Sequence, residues 1–349
     1  MDHPSQSNVS QPPPPRRSRF WLWLLLFFCA MPFLFLFLVY MLLRGVSTGS
    51  DSLVFEEHHS LNELGADKVA IIAVEGLIMG GDGFVKQQID RVREDTSVKA
   101  IVLRVDSPGG TVTGSDYIYH HLKKLRDERK LPMVVSMGGM AASGGYYVSM
   151  AVGDAKDAIF AEPTTWTGSI GVVIPHYNVA GLMEEWEVEE DSIKSHPLKQ
   201  MGSPTKKLTE EERKIFQELV DDSFARFKDI VKNGRPDFKE HPEKLDAIAT
   251  GQVFTTNQAL ANGLVDKEGF IEEAIDRAIA LAKLNKENVR VVEYGRPPTL
   301  ADLLLSVESP LRRDSQSQSP SLDLSALLEL TTPRAYYLST WLPTAIQSN

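Results

Sequence analysis

The chain has 349 residues and a net charge of −10 at neutral pH, with 42% hydrophobic and 24% charged residues. These values exclude collagen-like and wholly disordered chains, and the acidic balance argues against a nucleic-acid partner. A single cysteine, Cys29, rules out a disulfide framework, a Cys-based zinc site and iron–sulfur ligation, so any nucleophile has to be sought elsewhere.

The charge is uneven. Arg16, Arg17, Arg19 and Arg44 against Asp2 give the first 50 residues a net +3, so the other 299 carry −13. Residues 1–19, with Pro12 to Pro15 in a row, read as a disordered or polyproline tail. Phe20 to Leu43 is a run of 24 uncharged residues rich in Leu, Phe and Trp. As a helix it spans about 36 Å, enough for a bilayer core of about 30 Å. A cleavable signal peptide has a shorter apolar region, about 7–15 residues, followed by a small-x-small site, and Ala30-Met31-Pro32 offers none. The run therefore predicts an uncleaved transmembrane helix, kinked at Pro32. More arginines precede it than follow it, which keeps the N-terminus cytoplasmic and the bulk of the chain extracytoplasmic. Residues 44–66 are polar and acidic and read as a tether.

From Lys68 the texture changes. Val69 to Val74, Val98 to Val105, Pro132 to Met137 and Ala158 to Ala161 are short, β-branched-rich runs. Helical spacing lies between them, at Val85, Ile89 and Val92 and at Ile118, Leu122 and Leu125. Strands alternating with helices predict an α/β domain with a mostly parallel sheet. A long amphipathic helix is predicted over Thr209 to Val231, capped by Thr209 and Glu212, with Ile215, Phe216, Leu219, Phe224, Phe227 and Ile230 as a core-facing stripe. After Asn285 the signal weakens, leaving 286–349 as a C-terminal extension with a low-complexity hinge at Arg312 to Pro320.

Two glycine-rich turns concentrate the chemistry. In Met137 to Ser149 (MGGMAASGGYYVS), a strand ends near Met137, and Ala141 and Ala142 let a helix begin tight against neighbouring backbone. Ser143 would sit near that helix's N-terminus, where free N–H groups favour developing negative charge. It reads equally as a nucleophile or as a plain N-cap. In Asp106 to Gly110 (DSPGG), Gly109 and Gly110 end a strand, where α/β sheets bind ligands. With the Gly144 N–H this turn could form an oxyanion hole, whose single donors are worth about 2.7–4 kcal/mol in acyl transfer. None of the eight histidines stands in a motif that would make it the base; His176 and His196 remain open.

Five stretches in order, DSPGG, MAASGGYYVS, WTGSIGVV, SPTKKLTEEER and GQVFTTNQALANGLVD, resemble the signal peptide peptidase SppA family over residues 67–285. The resemblance implies a crotonase/Clp-protease-like fold of repeated ββα-type units behind a transmembrane helix, and a serine–lysine dyad. It assigns Ser143 as nucleophile, Lys199 in HPLKQMGSP as base, Ser169 as the hydroxyl orienting the lysine, and Gly110 and Gly144 as oxyanion donors. Lys194 is the competing lysine, but it directly continues a predicted strand, Val188 to Ile193, whereas Lys199 sits in a loop followed by Gly202 and Pro204 that can swing into a crevice. Ser203-Pro-Thr-Lys206 is formally S-x-x-K but lacks the companion motifs of penicillin-binding proteins, so it reads as structural.

A lysine with a reference pKa of about 10.4 is neutral roughly once in 2,500 molecules at pH 7, a handicap of about 4.6 kcal/mol for a base. The dyad therefore requires a nearly dry pocket around Lys199, roofed by substrate or a neighbouring subunit and free of paired carboxylates. No cofactor and no metal are implied, and Gly80, Gly81 and Gly83 form no nucleotide fingerprint. The resemblance further implies a membrane-anchored endopeptidase acting on remnant signal peptides or other membrane-associated peptides. It also implies a homo-oligomeric ring whose site is shared between protomers. Extended substrates would add to the strand edge beside Gly109 and Gly110, with small or apolar side chains in pockets. The rival readings are a catalytically inactive membrane scaffold and, from the shared crotonase architecture, acyl-CoA chemistry. The apolar patches at Leu327 to Leu330 and Tyr336 to Trp341 have three open fates: packing on the ring, touching the membrane, or occupying a neighbour's groove as an autoinhibitor.

Overall fold

The computed structural model describes residues 54–296 and 335–338, together with Met31, Leu34 and Phe37. Those three are the described part of the first compact unit, Met1–Leu53, and they are helical and exposed. The rest of the expected tail, anchor and C-terminal hinge lies outside the described residues. Among the described residues no helix is long and apolar enough to cross a membrane.

In the second unit, the β-branched runs become strands of one sheet. They are β1 (Phe55–Leu61), β2 (Asp67–Ile78), β3 (Val98–Thr111), β4 (Met133–Ala142), β5 (Ile159–Ala161), β6 (Trp166–Gly168), β7 (Val253–Thr255), β8 (Lys267–Glu268), β9 (Val289–Gly295) and β10 (Tyr336–Leu338). The main order is β1-β9-β2-β3-β4-β5-β8, parallel from β9 to β8 with β1 antiparallel at the edge. Buried on both faces, these strands need no polar alternation, which is why they read as continuous apolar runs. Ala70, Ile72, Leu103 and Val105 pack on one side with Ile89 and Val92 of α1 (Phe84–Glu94) and Ile118, Leu122 and Leu125 of α2 (Val112–Arg129). The alternate residues Val69, Ile71, Ala100 and Val102 face a separate layer, the Ala274, Ile275, Ala278 and Ile279 stripe of the helix Ile271–Ala282.

The long strands break step halfway. Register shifts fall between Glu75 and Leu77 and between Val105 and Ser107, while β4 pairs with β5 through Met137 and with β6 from Met140 onward. Each repeat thus carries two strand segments and one helix, the pattern of a ββα-type unit. The second segments project beyond the main sheet, and the glycine turns lie there.

Several sequence expectations need correction. The sheet reaches past 67–285 on both sides: β1 forms within the expected tether and β9 within the expected extension. Ala141 and Ala142 end β4, and the helix begins only at Gly144, because the pairing of Ala141 and Ala142 with Thr167 and Gly168 keeps them extended. Residues 188–193 form no strand; they are exposed, Ile193 completely so, because no sheet edge reaches them. The long helix is present at Glu210–Gly234, with both capping-box bonds made at 3.0 and 3.2 Å. Its stripe is core only in the second half, where Phe227, Ile230 and Val231 are buried while Leu219 is 48% exposed.

One buried ion cluster ties β1 to the sheet. Lys68, 7% exposed, lies 2.6 Å from Glu56 and 2.7 Å from Asp95. Burial works against ionising Asp95, but hydrogen bonds from Lys68 and Ser97 outweigh it and hold the carboxyl at about 2. A depressed carboxyl contributes stability above its unfolded value and loses it as pH falls, here between about 4 and 2. Asp95→Asn is expected to cost about 2 kcal/mol at pH 7 and to flatten the acid limb of stability between pH 4 and 2. Urea melts across that range read the effect.

Candidate active site

The two glycine turns are held by their own polar residues. Ser107 donates from Oγ to the Gly76 carbonyl at 2.6 Å and accepts from the Gly109 N–H at 3.1 Å, which closes the DSPGG turn. Gly109 has φ +101°, a region that side chains disfavour. The Met140 N–H donates to Asp106 Oδ1 at 3.0 Å, joining this turn to the second one. Thr167 Oγ1 donates to the Ala141 carbonyl at 2.7 Å and pins the end of β4. Gly144 then comes so close that a Cβ there would lie 2.4 Å from Ser115 Oγ and 3.1 Å from the Gly110 nitrogen. The amides of Gly110 and Gly144, from different turns, are thereby neighbours.

Ser143 stands at the junction of β4 and α3 (Gly144–Ser149), with φ 55° and ψ −114°. Such backbone costs of order 1–3 kcal/mol for a residue with a side chain and persists only where the surroundings impose it. Here the Ser143 N–H donates to the Gly168 carbonyl at 2.8 Å, and the Ser143 carbonyl accepts from the Tyr147 N–H at 2.8 Å. Its side chain makes no capping bond, so the plain N-cap reading does not hold. The Oγ is buried and has no hydrogen-bond partner among the described residues. A buried hydroxyl without a partner costs about 1–3 kcal/mol and calls for an explanation.

Ser169 follows Gly168 directly, so the residue expected to orient the lysine lies one position from the carbonyl that holds Ser143. It also has a positive φ, 50°, and its N–H donates to the Gln252 carbonyl at 2.7 Å. With Ile170, Val173, Val220, Phe224 and Gln252 it lines a cavity of about 820 Å³.

Lys199 is not brought to Ser143 within the chain. It sits on a short 3-10 turn, Pro197–Gln200, on an exposed arm, and no ion pair among the described residues involves it. The single chain leaves it open to solvent where the dyad chemistry asks for a dry pocket. Lys194 is also exposed and donates to Gln200. Lys206 pairs with the capping Glu212, and Ser203 Oγ meets Thr205 Oγ1 at 2.6 Å, so the S-x-x-K stretch is used up in local structure. His176 contacts the Ser203 carbonyl and His196 caps its own turn, leaving neither on the serine. Among the described residues no cluster of His, Cys, Asp and Glu could hold a metal ion. The strand β10 was not anticipated from sequence; its only signal was the apolar triplet Tyr336-Tyr337-Leu338.

The family model described as peptidase family S49 matches residues 125–285. Protease 4 of Salmonella typhi is 37% identical over 74% of this chain, and a candidate signal peptide peptidase SppA of Enterococcus faecium is 38% identical over 61%. The chain spans 42% of the length of the first and 59% of the second. A candidate protease of Synechocystis is 36% identical over 75% of this chain and 90% of its own length. A match that runs nearly end to end with such a relative, on top of the matched model, means that the chain belongs to peptidase family S49.

Proposed function

We propose that this chain is a membrane-anchored serine endopeptidase that cleaves peptide bonds by acyl transfer through Ser143. The observation carrying this reading is the buried Ser143 hydroxyl, held in strained backbone without a partner beside the amides of Gly110 and Gly144. Ser143 Oγ attacks the carbonyl while the two amides stabilise the oxyanion. Lys199 accepts the hydroxyl proton and returns it to the leaving amine, and water then releases the acyl-enzyme. Ser169 orients the lysine amine.

Lys199 comes from a neighbouring copy in a homo-oligomeric ring. Its arm exposes Leu182, Trp186, Val188 and Ile193, apolar surface that docking against a second chain would cover. The same docking would remove water from the amine. Residues 20–43 anchor the assembly, with the N-terminus cytoplasmic and the peptidase unit extracytoplasmic. Substrates are then remnant signal peptides or other membrane-associated peptides. A serine-reactive phosphonate or a lipopeptide aldehyde tests the reading on wild type, Ser143→Ala and Lys199→Ala. Wild type should be labelled and Ser143→Ala should not; labelling that survives Ser143→Ala overturns the assignment, and an unlabelled wild type leaves only a tethered scaffold.

A further inference from the structure

The strand that delivers the nucleophile is longer, at one point, than the strand beside it. Val105 of β3 pairs with Met137 of β4, and the next pair is Ser107 with Ala141. A single residue of β3, Asp106, therefore stands opposite Gly138, Gly139 and Met140 of β4. An insertion of this kind is a bulge: it bends its strand, strips local backbone groups of their ladder partners and re-aims the residues that follow. Here the residue that follows is Ser143, at the end of the same strand segment.

Side chains take over the missing bonds. On the β6 side, the buried Thr165 donates from Oγ1 to the Gly138 carbonyl at 2.7 Å. On the β3 side, the Met140 N–H donates to Asp106 Oδ1 at 3.0 Å. Asp106 reaches that amide by lying over Gly138, where a Cβ would come within 3.0 Å of the Asp106 Cγ and Oδ2. Any side chain at position 138 would push the carboxylate away. Arg104 braces the same spot. Its Nη1 donates to Ser136 Oγ at 3.0 Å, its Nη2 pairs with Glu162 at 2.7 Å, and Nη2 would lie 3.1 Å from a Cβ on Gly138.

Asp106 also begins the other half of the site. The next residue, Ser107, closes the turn that carries Gly109 and Gly110. One carboxylate thus ties the oxyanion turn on β3 to the strand that ends in Ser143 on β4. Asp106 bonds the Met140 amide and not Ser143, whose hydroxyl has no partner among the described residues. Its leverage is spacing: a misplacement of about 1 Å between reacting groups costs roughly 10²-fold in rate.

We propose that Asp106 is a positioning residue, whose carboxylate holds the bulge of β4 through the Met140 N–H and so sets the distance between Ser143 Oγ and the amides of Gly110 and Gly144. This rests on the serine-peptidase reading above. The position of the acceptor oxygen is the working quantity, and its negative charge is not. Because the spacing counts only as the oxyanion forms, its loss falls on kcat and leaves KM in place. Asp106 is exposed, so replacing it opens no cavity in the core.

The test compares Asp106→Asn, Asp106→Glu and Asp106→Ala with wild type, each as the full-length protein in detergent, in a fluorogenic peptide assay. Turnover is counted per Ser143 titrated to completion with the phosphonate, so that unfolded molecules drop out. Asparagine keeps an oxygen at the Oδ1 position without the charge and should hold kcat within about threefold of wild type. Glutamate keeps the charge but carries its oxygens one methylene farther, and alanine has no acceptor; both should lose at least roughly tenfold in kcat, with KM within about twofold. Gly138→Ala displaces the carboxylate without removing any hydrogen-bonding group. It should lower kcat in the same way, and add little when combined with Asp106→Ala. An Asp106→Asn chain as damaged as Asp106→Ala makes charge the working quantity, and an unchanged kcat per titrated site in Asp106→Ala reduces Asp106 to a structural contact; either result overturns this inference alone. A wild type that the phosphonate does not label overturns it together with the peptidase reading.

Discussion

Ser143→Ala is expected to lower kcat/KM for peptide hydrolysis roughly 10⁵-fold while making the protein more stable. The loss is large because a serine nucleophile and its base act as a unit, and the residual rate comes from the oxyanion amides and binding alone. The gain has a separate origin. The Ser143 hydroxyl is buried without a partner, so alanine removes a desolvated polar group and breaks no hydrogen bond. About 1 kcal/mol follows, or roughly 2–4 °C in Tm for a domain of this size. Ser143→Gly should gain more, because it also relieves the φ of 55°. A fluorogenic peptide assay beside scanning calorimetry separates the two effects. Activity within tenfold of wild type would place the nucleophile elsewhere, and a fall in Tm would mean that the hydroxyl has a structural partner.

That opposition between stability and activity also explains what could be read from the amino-acid sequence. Val69 to Val74 and Val98 to Val105 were legible as strands because burial on both faces demands unbroken apolar runs, and Thr209 with Glu212 announced a helix start through local hydrogen bonds alone. The glycines of DSPGG and MAASGG were legible because close backbone approach and positive φ leave little else that fits. By contrast β9 lies far from both β1 and β2 in sequence and forms only by pairing between them, so a seven-residue run at the end of a fading signal carried too little information. The Val188 to Ile193 run failed in the opposite direction. Only its ends, Val188 and Ile193, favour a strand; Glu189, Glu190 and Asp191 between them do not, no partner edge meets the run, and it stays exposed. Ser143, Gly110, Gly144 and Ser169 come together because each sits at the end of a sheet segment. Lys199 stays apart from them on an exposed 3-10 turn that no sheet segment holds.

This separation sets the second large effect. Lys199→Ala alone is expected to lose at least roughly 10³-fold in kcat/KM, since without a positioned base the serine proton has only water to go to. The informative sample is a mixed assembly. If each site takes Ser143 from one protomer and Lys199 from its neighbour, equal co-expression of Ser143→Ala and Lys199→Ala chains leaves roughly half of the serines intact. About half of those face an intact lysine, so roughly a quarter of wild-type activity returns from two inactive variants. If the arm of residues 177–208 instead folds back to complete the site within its own chain, every site in the mixture lacks one group and the activity stays at the level of the single variants. Charged substitutions at Trp186 and Ile193, both exposed on that arm, give the complementary result. Disrupting the docking surface should abolish turnover in an otherwise wild-type chain while the protomer keeps its folded circular-dichroism spectrum, because neither side chain belongs to the core of its own protomer.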